Sequence, residues 1–145
     1  MPHANKRPSH SSESTFAPGT VLAFLAERNQ VDFEVDFFGK LLDKIPEFHE
    51  VLRVQASNLT VKGKLQEGLM VDKRLVSIRP GDPNAHYNLA CRYALLKQKD
   101  LALVTLRKAI ELGYRDFRYM IEDRDLESVR KDPRFHDLVK KYGMV

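Results

Sequence analysis

Hydrophobic residues recur at helical spacing along most of the chain, most clearly between Asp82 and Tyr114. Asp82 and Pro83 predict a helix start, because aspartate caps free backbone N–H groups and proline fits the first helical position. Two apolar stripes follow, separated by the polar turn 97–100. Two amphipathic helices joined by a short turn form an antiparallel hairpin that cannot bury both apolar faces alone. The first stripe consists of Leu89, Ala90, Tyr93 and Leu96, and the second of Ala102, Leu106, Ala109 and Ile110.

The hairpin pattern recurs along the chain at a fixed interval. Pro46, Pro80 and Tyr114 each close a helix-like stretch, and the two intervals between them are equal. In the same register Ala56 aligns with Ala90, and small residues also align at positions 68 and 102, so the two helices of each hairpin can approach closely. The interval is about 34 residues, a period typical of arrays of stacked helical pairs.

The pattern resembles the tetratricopeptide repeat, whose unit of about 34 residues follows W-x2-L-G-x2-Y, then A-x3-F, then P. The resemblance covers residues 16–114 and divides them into a degenerate copy at 16–48 and two fuller copies at 49–82 and 83–114. It departs from the family at the tryptophan place and at Asp72, where packing is expected to be uneven. The matching positions are His86, Leu89, Ala90, Tyr93, Ala102 and Leu106 in the third copy, and Leu52, Gln55, Ala56, Leu59, Gly68 and Pro80 in the second.

The two ends of the chain differ from the repeats. Residues 1–15 are polar and lack hydrophobic periodicity, which predicts a disordered tail. Residues 115–145 resemble the segment that follows the last repeat in many bacterial tetratricopeptide proteins, with a helix start at Asp132 and Pro133. An array exposes an apolar edge at its last repeat, and this segment is expected to cap it. The predicted fold is therefore an all-α, tetratricopeptide-like solenoid of about three repeats with a C-terminal helical cap.

Composition is that of an ordinary globular domain, with 43% hydrophobic and 30% charged residues. The net charge of +4 comes from 24 basic and 20 acidic residues that are mixed along the chain, which favours nucleic-acid binding only slightly. There is no apolar run of membrane-spanning length and no secretory signal, and the single Cys91 allows no internal disulfide. A cytoplasmic location is the expectation.

The sequence contains no recognisable catalytic constellation, so we expect no enzymatic activity, no cofactor and no metal. His86 and Cys91 lie five residues apart, about 140° around a helix, whereas paired metal ligands on a helix need three or four. We interpret His86 as a packing residue and Cys91 as a structural thiol. An acidic cluster in the C-terminal segment alternates with arginines, which indicates surface ion pairing. Its members are Glu122, Asp123, Asp125 and Glu127.

The family resemblance implies that the protein binds a peptide or partner protein in a concave groove lined by the first helix of each repeat. A subset of the family holds a C-terminal carboxylate, and Arg53, Asn88 and Arg118 stand at matching places, while Ser57 and Glu122 depart from that set. The partner is therefore expected to be acidic or to end in a free carboxylate. The resemblance places these residues in the groove: Arg53, Val54, Ser57, Asn84, Tyr87, Asn88, Cys91 and Arg118.

Two other functions stay open at this point. A nucleic-acid-binding protein would need a contiguous basic face from Lys62, Lys64, Lys73, Arg74 and Arg79. A homo-oligomeric structural protein would use the degenerate first repeat, whose apolar edge a second copy could cover. That edge comprises Phe33, Phe37 and Phe38.

Overall fold

The computed structural model describes residues 21–143, and across that range the regular structure is entirely helical. The predicted disordered tail, 1–15, lies outside the described residues. No helix within residues 21–143 combines the length and apolarity needed to cross a membrane. The helices are α1 (Val21–Lys44), α2 (His49–Val61), α3 (Leu65–Ile78), α4 (Pro83–Leu95), α5 (Lys99–Glu111), α6 (Phe117–Glu122), α7 (Glu127–Arg130) and α8 (Pro133–Gly143), with a 3-10 turn at Arg124–Leu126.

The predicted helix boundaries of the hairpin between Asp82 and Tyr114 are confirmed. The Asp82 side chain accepts a hydrogen bond from the backbone N–H of Asn84 at 2.9 Å, and Pro83 occupies the first position of α4. The chain leaves α4 through Lys97, which has a φ of 62°, and leaves α5 through Gly113 at 120°. Glycine suits this left-handed conformation because it has no Cβ.

The first predicted repeat, which the sequence marks as degenerate, differs from the two fuller copies. Instead of two helices joined by a turn, the described part of this segment is one continuous helix, α1. No proline or glycine interrupts the sequence from Val21 to Phe38, so nothing breaks the helix there. Gly39 lies within the helix against α2, where the side-chain nitrogen of Gln55 would be 3.7 Å from an added Cβ. The glycine thus serves helix contact and not a turn.

Along the chain from α1 to α5, each helix packs against the one before it. The segment after α5 packs back on α4 and α5 through the 3-10 turn, α7 and α8. Its apolar residues, including Phe135 and Leu138, join the same hydrophobic core as Ala90 and Ala102. The expected helix start at Pro133 and its inward apolar face are both present.

A buried ion pair joins the three central helices. The Arg92 Nε of α4 donates to Asp72 Oδ2 of α3 at 2.8 Å, and Arg92 Nη2 donates to the carbonyl oxygen of Ala56 in α2 at 2.9 Å. Gly68 makes room for the guanidinium, because a Cβ there would lie 2.5 Å from its carbon. Asp72, which the family pattern marks only as a departure, is therefore the counter-charge of a buried arginine.

The environment of Asp72 explains its chemistry. Its side chain is 2% exposed, and burial raises the pKa of the carboxyl to about 6, against the lowering effect of Arg92. A charge removed from water needs a partner, since an unpaired buried ion is far less favourable than a paired one. Arg92 and Asp72 therefore depend on each other.

Removing one member of this pair should destabilise the protein strongly. We predict that Asp72→Ala lowers the free energy of unfolding by about 3–5 kcal/mol, because it leaves Arg92 buried without a counter-charge. Replacing both residues by apolar ones, Asp72→Leu with Arg92→Met, should recover most of that loss. Denaturant unfolding followed by circular dichroism measures both values.

Asp36→Ala provides the control, because Asp36 forms an exposed pair with Lys40 at 3.2 Å. Exposed pairs contribute about 0–1 kcal/mol. If Asp72→Ala were no less stable than Asp36→Ala, the buried pair would not have the structural role described.

Candidate functional site

Three of the predicted groove residues meet in one cleft. Ser57 of α2 and Asn88 and Cys91 of α4 line a cavity of about 270 Å³. The buried pair of Asp72 and Arg92 forms part of its wall. The other lining residues are Ala56, Thr60, Val61, Leu95 and Asp125. The cleft thus combines apolar walls with a few polar groups, as small binding sites commonly do.

Asn88, like Asp72 and Arg92 in the same lining, has a buried polar side-chain atom without a hydrogen-bond partner. Asn88 is only 7% exposed, and its Nδ2 is buried without a hydrogen-bond partner. Leaving a buried donor without an acceptor costs about 1–3 kcal/mol. A water molecule or a ligand atom that enters the cleft can supply the missing acceptor.

Tyr87 has a different place from the one expected. It is fully buried and so presents no surface to a partner, which corrects its prediction as a groove residue. Its hydroxyl donates to Asp123 Oδ2 at 2.7 Å, and its ring stacks on Tyr114 with centroids 4.2 Å apart. Burial raises the pKa of Tyr87, so the hydroxyl stays protonated and acts as a donor. Tyr87 therefore fixes the C-terminal segment against α4.

Asp123 does not lie on the surface, where the alternating acidic and basic pattern predicted it. The interpretation as surface ion pairing is wrong for this residue, because it is buried. Its Oδ1 accepts the N–H of Asp125 at 3.0 Å, and its carbonyl oxygen accepts a hydrogen bond from Arg130. Cys91 Sγ lies 3.7 Å from Asp123 Oδ2. The aspartate thus connects α4 to the start of the 3-10 turn.

Arg53 is engaged within the protein. Its Nη2 lies 2.5 Å from Asp82 Oδ2, so the cap of α4 is also tied to α2. Although burial acts in the opposite direction, the hydrogen bonds from Arg53 and from the Asn84 N–H lower the pKa of Asp82. Asn84 is half-buried beside this pair, while Val54 on α2 is exposed.

Arg118 lies away from the cleft. Its side chain is 91% exposed on α6, and its Nε is 4.0 Å from Glu122. Neither Arg118 nor Arg53 lines the cavity that contains Asn88. The three residues matching a carboxylate-binding set are therefore not gathered around that cavity.

The residues behind the two alternative functions are spread over several elements. Lys62 at the end of α2 pairs with Asp32 of α1 at 2.7 Å, while the remaining basic residues of that set are exposed along and around α3. On α1, Phe33 and Phe37 are 67% and 50% exposed and stack with ring centroids 5.9 Å apart. The expected aromatic edge is exposed at Phe33 and Phe37, whereas Phe38 is half-buried against the hydrophobic core.

Sequence reasoning missed the two aspartates that organise this region. Asp72 is four residues after Gly68, and the two residues stand where the family pattern has alanine and phenylalanine. A glycine paired with an aspartate at these two positions was the signal in the sequence that could have indicated a buried polar contact. Nothing near Asp123 in the sequence marks its contact with Tyr87, which is 36 residues away.

The chain is similar to part of a longer plant protein. No protein-family model matches it. It is 35% identical over 83 residues to a chloroplastic protein of Arabidopsis thaliana. The matched region covers 55% of this chain but 25% of that protein, so the chain spans about a quarter of its relative's length.

The Arg53–Asp82 pair should give a defined pH dependence. Because the folded-state pKa of Asp82 lies below the unfolded-state value near 3.8, its stabilisation is complete above about pH 4 and is lost as pH falls through the folded-state pKa. We predict that Arg53→Ala and Asp82→Ala are non-additive, with a coupling of roughly 0.5–3 kcal/mol at pH 7. The coupling should shrink at low pH in unfolding measurements.

Arg107→Ala is the control for Arg53→Ala, since Arg107 is an exposed arginine on α5 that lines a different pocket from Asp82. It should couple negligibly to Asp82→Ala. A coupling that persisted unchanged down to pH 2 would show that the Asp82 charge is not responsible.

Proposed function

We propose that this protein is a non-enzymatic interaction module, built as a tetratricopeptide-like array, that binds an extended segment of a partner protein in the cleft between α2 and α4. The proposal includes no catalysis and no cofactor. A cytoplasmic location stays a prediction from the sequence.

The spacing of the helices supports the array. α4 begins one full repeat period after α2, and α5 begins one full repeat period after α3. Each of these helices packs on its neighbour in the chain, as stacked repeats require. In such an array α2 and α4 are equivalent first helices, so Ser57 and Asn88 belong to the same binding surface.

The observation that carries the proposal is the unpartnered amide of Asn88 in a cleft formed by two successive first helices. A backbone carbonyl of an extended peptide is a suitable acceptor for this amide. Thr60, Val61 and Leu95 supply adjacent surface for a side chain of the same peptide. The site therefore combines a fixed polar contact with apolar contact area.

The charge of the partner is a separate part of the proposal. The acidic or carboxylate-terminated partner expected from the sequence would use Arg53 and Arg118, but Arg53 is bound to Asp82 and Arg118 is exposed beside Glu122. Asp125 in the cleft would also repel a carboxylate. We therefore propose that a neutral peptide segment occupies the cleft and that an acidic residue of the partner contacts the exposed Arg118 outside it.

Changing the cleft should remove partner binding without unfolding the protein. In affinity capture from the native cell extract, the unmodified chain should retain a set of partner proteins. We predict that Asn88→Ala and Ser57→Arg each retain less of that same set, as quantified by mass spectrometry. The first change removes the amide donor, and the second fills the cleft. The dissociation constant of the captured protein should rise about 5- to 150-fold, because leaving a buried hydrogen-bonding group unpaired costs about 1–3 kcal/mol.

Asn29→Ala is the matched control, because Asn29 is an exposed asparagine on α1. It should capture the same proteins as the unmodified chain. If the cleft variants, shown to be folded by circular dichroism, also captured that set at the same affinity, the cleft would not be the binding site.

Self-association is the second candidate function, and the stacked Phe33 and Phe37 favour it. They lie on α1 opposite Val31 and Leu42, which are buried. An exposed aromatic pair on a helix is a common element of protein interfaces. A second copy of α1 packed against this face would bury both rings.

Replacing both rings should then dissociate an oligomer. We predict that Phe33→Gln with Phe37→Gln converts a concentration-dependent dimer to a monomer in light scattering after gel filtration. Val104→Gln, which changes an exposed apolar residue of α5, is the control and should leave the dimer intact. A monomeric unmodified chain at high concentration would exclude this second function.

A further inference from the structure

A thiol and two carboxylates converge at the inner end of the cleft. The Cys91 sulfur, one carboxylate oxygen of Asp123 and one of Asp125 all lie within 4.8 Å of one another. Cys91 and Asp123 are buried, and Asp125 is half-buried in the lining of the cleft. The sequence did not suggest this grouping, because the two aspartates are distant from Cys91 along the chain.

Asn88 gives an independent indication that something binds here. It lies three residues before Cys91 on α4, so both side chains share one face of the helix. It lines the same cavity as Cys91 and Asp125, and its amide is buried without a hydrogen-bond partner. When the side-chain amide flips over, it presents its oxygen in place of its nitrogen, and the oxygen is a metal ligand.

We propose that Cys91, Asp123 and Asp125 bind one divalent metal ion of the zinc class, with the Asn88 amide oxygen or a water molecule as the fourth ligand. In a tetrahedral zinc site with metal–ligand distances of about 2.0–2.3 Å, sulfur and oxygen ligands are separated by about 3.6 Å. The Cys91 Sγ to Asp123 Oδ2 distance is 3.7 Å, so this edge of the tetrahedron already exists. Asp125 supplies the third ligand atom, which already lies within 4.8 Å of the other two.

The surroundings fit a bound cation. On binding, the Cys91 S–H bond breaks, the proton goes to solvent and sulfur forms a bond to the metal. The Tyr87 hydroxyl, 2.7 Å from Asp123 Oδ2, orients that carboxylate from the side away from the cleft. Ligating carboxylates are usually held by such a hydrogen bond. Arg130, which donates to the Asp123 carbonyl oxygen, offsets the excess negative charge of a thiolate and two carboxylates.

The consequence is structural. The site shares Asn88 with the cleft proposed for the partner, so a metal ion and a peptide carbonyl cannot both use its amide. The ion ties α4 to the 3-10 turn, the point at which the C-terminal segment meets the preceding helices. Binding to the folded state alone stabilises that state in proportion to the logarithm of the free metal concentration. The proposal is therefore testable on the isolated chain without knowing its partner.

The experiment uses the full chain with Zn²⁺ and Co²⁺ as the probes. We expect calorimetry to give one saturable Zn²⁺ site per chain, Zn²⁺ to raise the melting temperature, and Co²⁺ to give a thiolate-to-cobalt charge-transfer band. Cys91→Ala should abolish the band, and Asp125→Asn should weaken Zn²⁺ binding at least tenfold. Tyr87→Phe should weaken it on the order of 10- to 100-fold, as loss of an outer hydrogen bond does.

Glu127→Gln is the matched control, since Glu127 is an exposed acid in the same segment. It should bind Zn²⁺ like the unmodified chain. Absence of saturable Zn²⁺ binding to the unmodified chain would overturn the proposal, as would equal affinity and an equal charge-transfer band in Cys91→Ala. Asp125→Asn changes a half-buried residue and keeps the site testable if Cys91→Ala fails to fold.

Discussion

The guanidinium of Arg92 is the contact on which the arrangement of the central helices depends. It reaches from α4 to a carboxylate of α3 and to a carbonyl oxygen of α2, and it lies over Gly68. A buried charge tolerates little displacement, because its hydrogen bonds and counter-charge must stay in place. The pair therefore fixes the spacing between the helices before and after residue 80 more narrowly than apolar packing alone would.

The cleft is a direct consequence of this junction. Asp72 and Arg92 form part of its wall, and the same face of α4 carries Asn88 and Cys91 toward it. Tyr87 and Asp123 hold the C-terminal segment against α4, and Asp125 of that segment lines the cleft. The binding surface we propose is thus built on rigid helices, with both of its polar ends anchored by buried hydrogen bonds.

Local signals in the sequence predicted the helices well. The Asp82–Pro83 start, the Gly113 stop and the regular repeat spacing depend on the chemistry of neighbouring residues, and all three appear in the structure. The first copy, which the sequence marks as degenerate, contains one continuous helix over Val21–Lys44, and no proline or glycine precedes Gly39 in it. In this chain, neighbouring residues predict a helix boundary correctly where a particular residue type, such as proline or glycine, determines that boundary.

Contacts between distant residues could not be predicted in the same way. Asp72, Arg92 and Asp123 each look like solvated surface charges in the sequence, since most charged residues are exposed. Their burial follows from partners 20 to 36 residues away, which no local pattern reveals. The same limit explains why Tyr87 was assigned to the groove, although its ring is stacked on Tyr114 in the core.

Amide hydrogen exchange of the chain with and without its captured partner tests the central claim most directly. If the cleft is the binding site, the partner should slow exchange in α2 and α4 around Ser57 and Asn88, while the exposed side of α5 around Val104 should be unaffected. Protection confined to α1 or to the α5 surface, with α2 and α4 unchanged, would contradict the account.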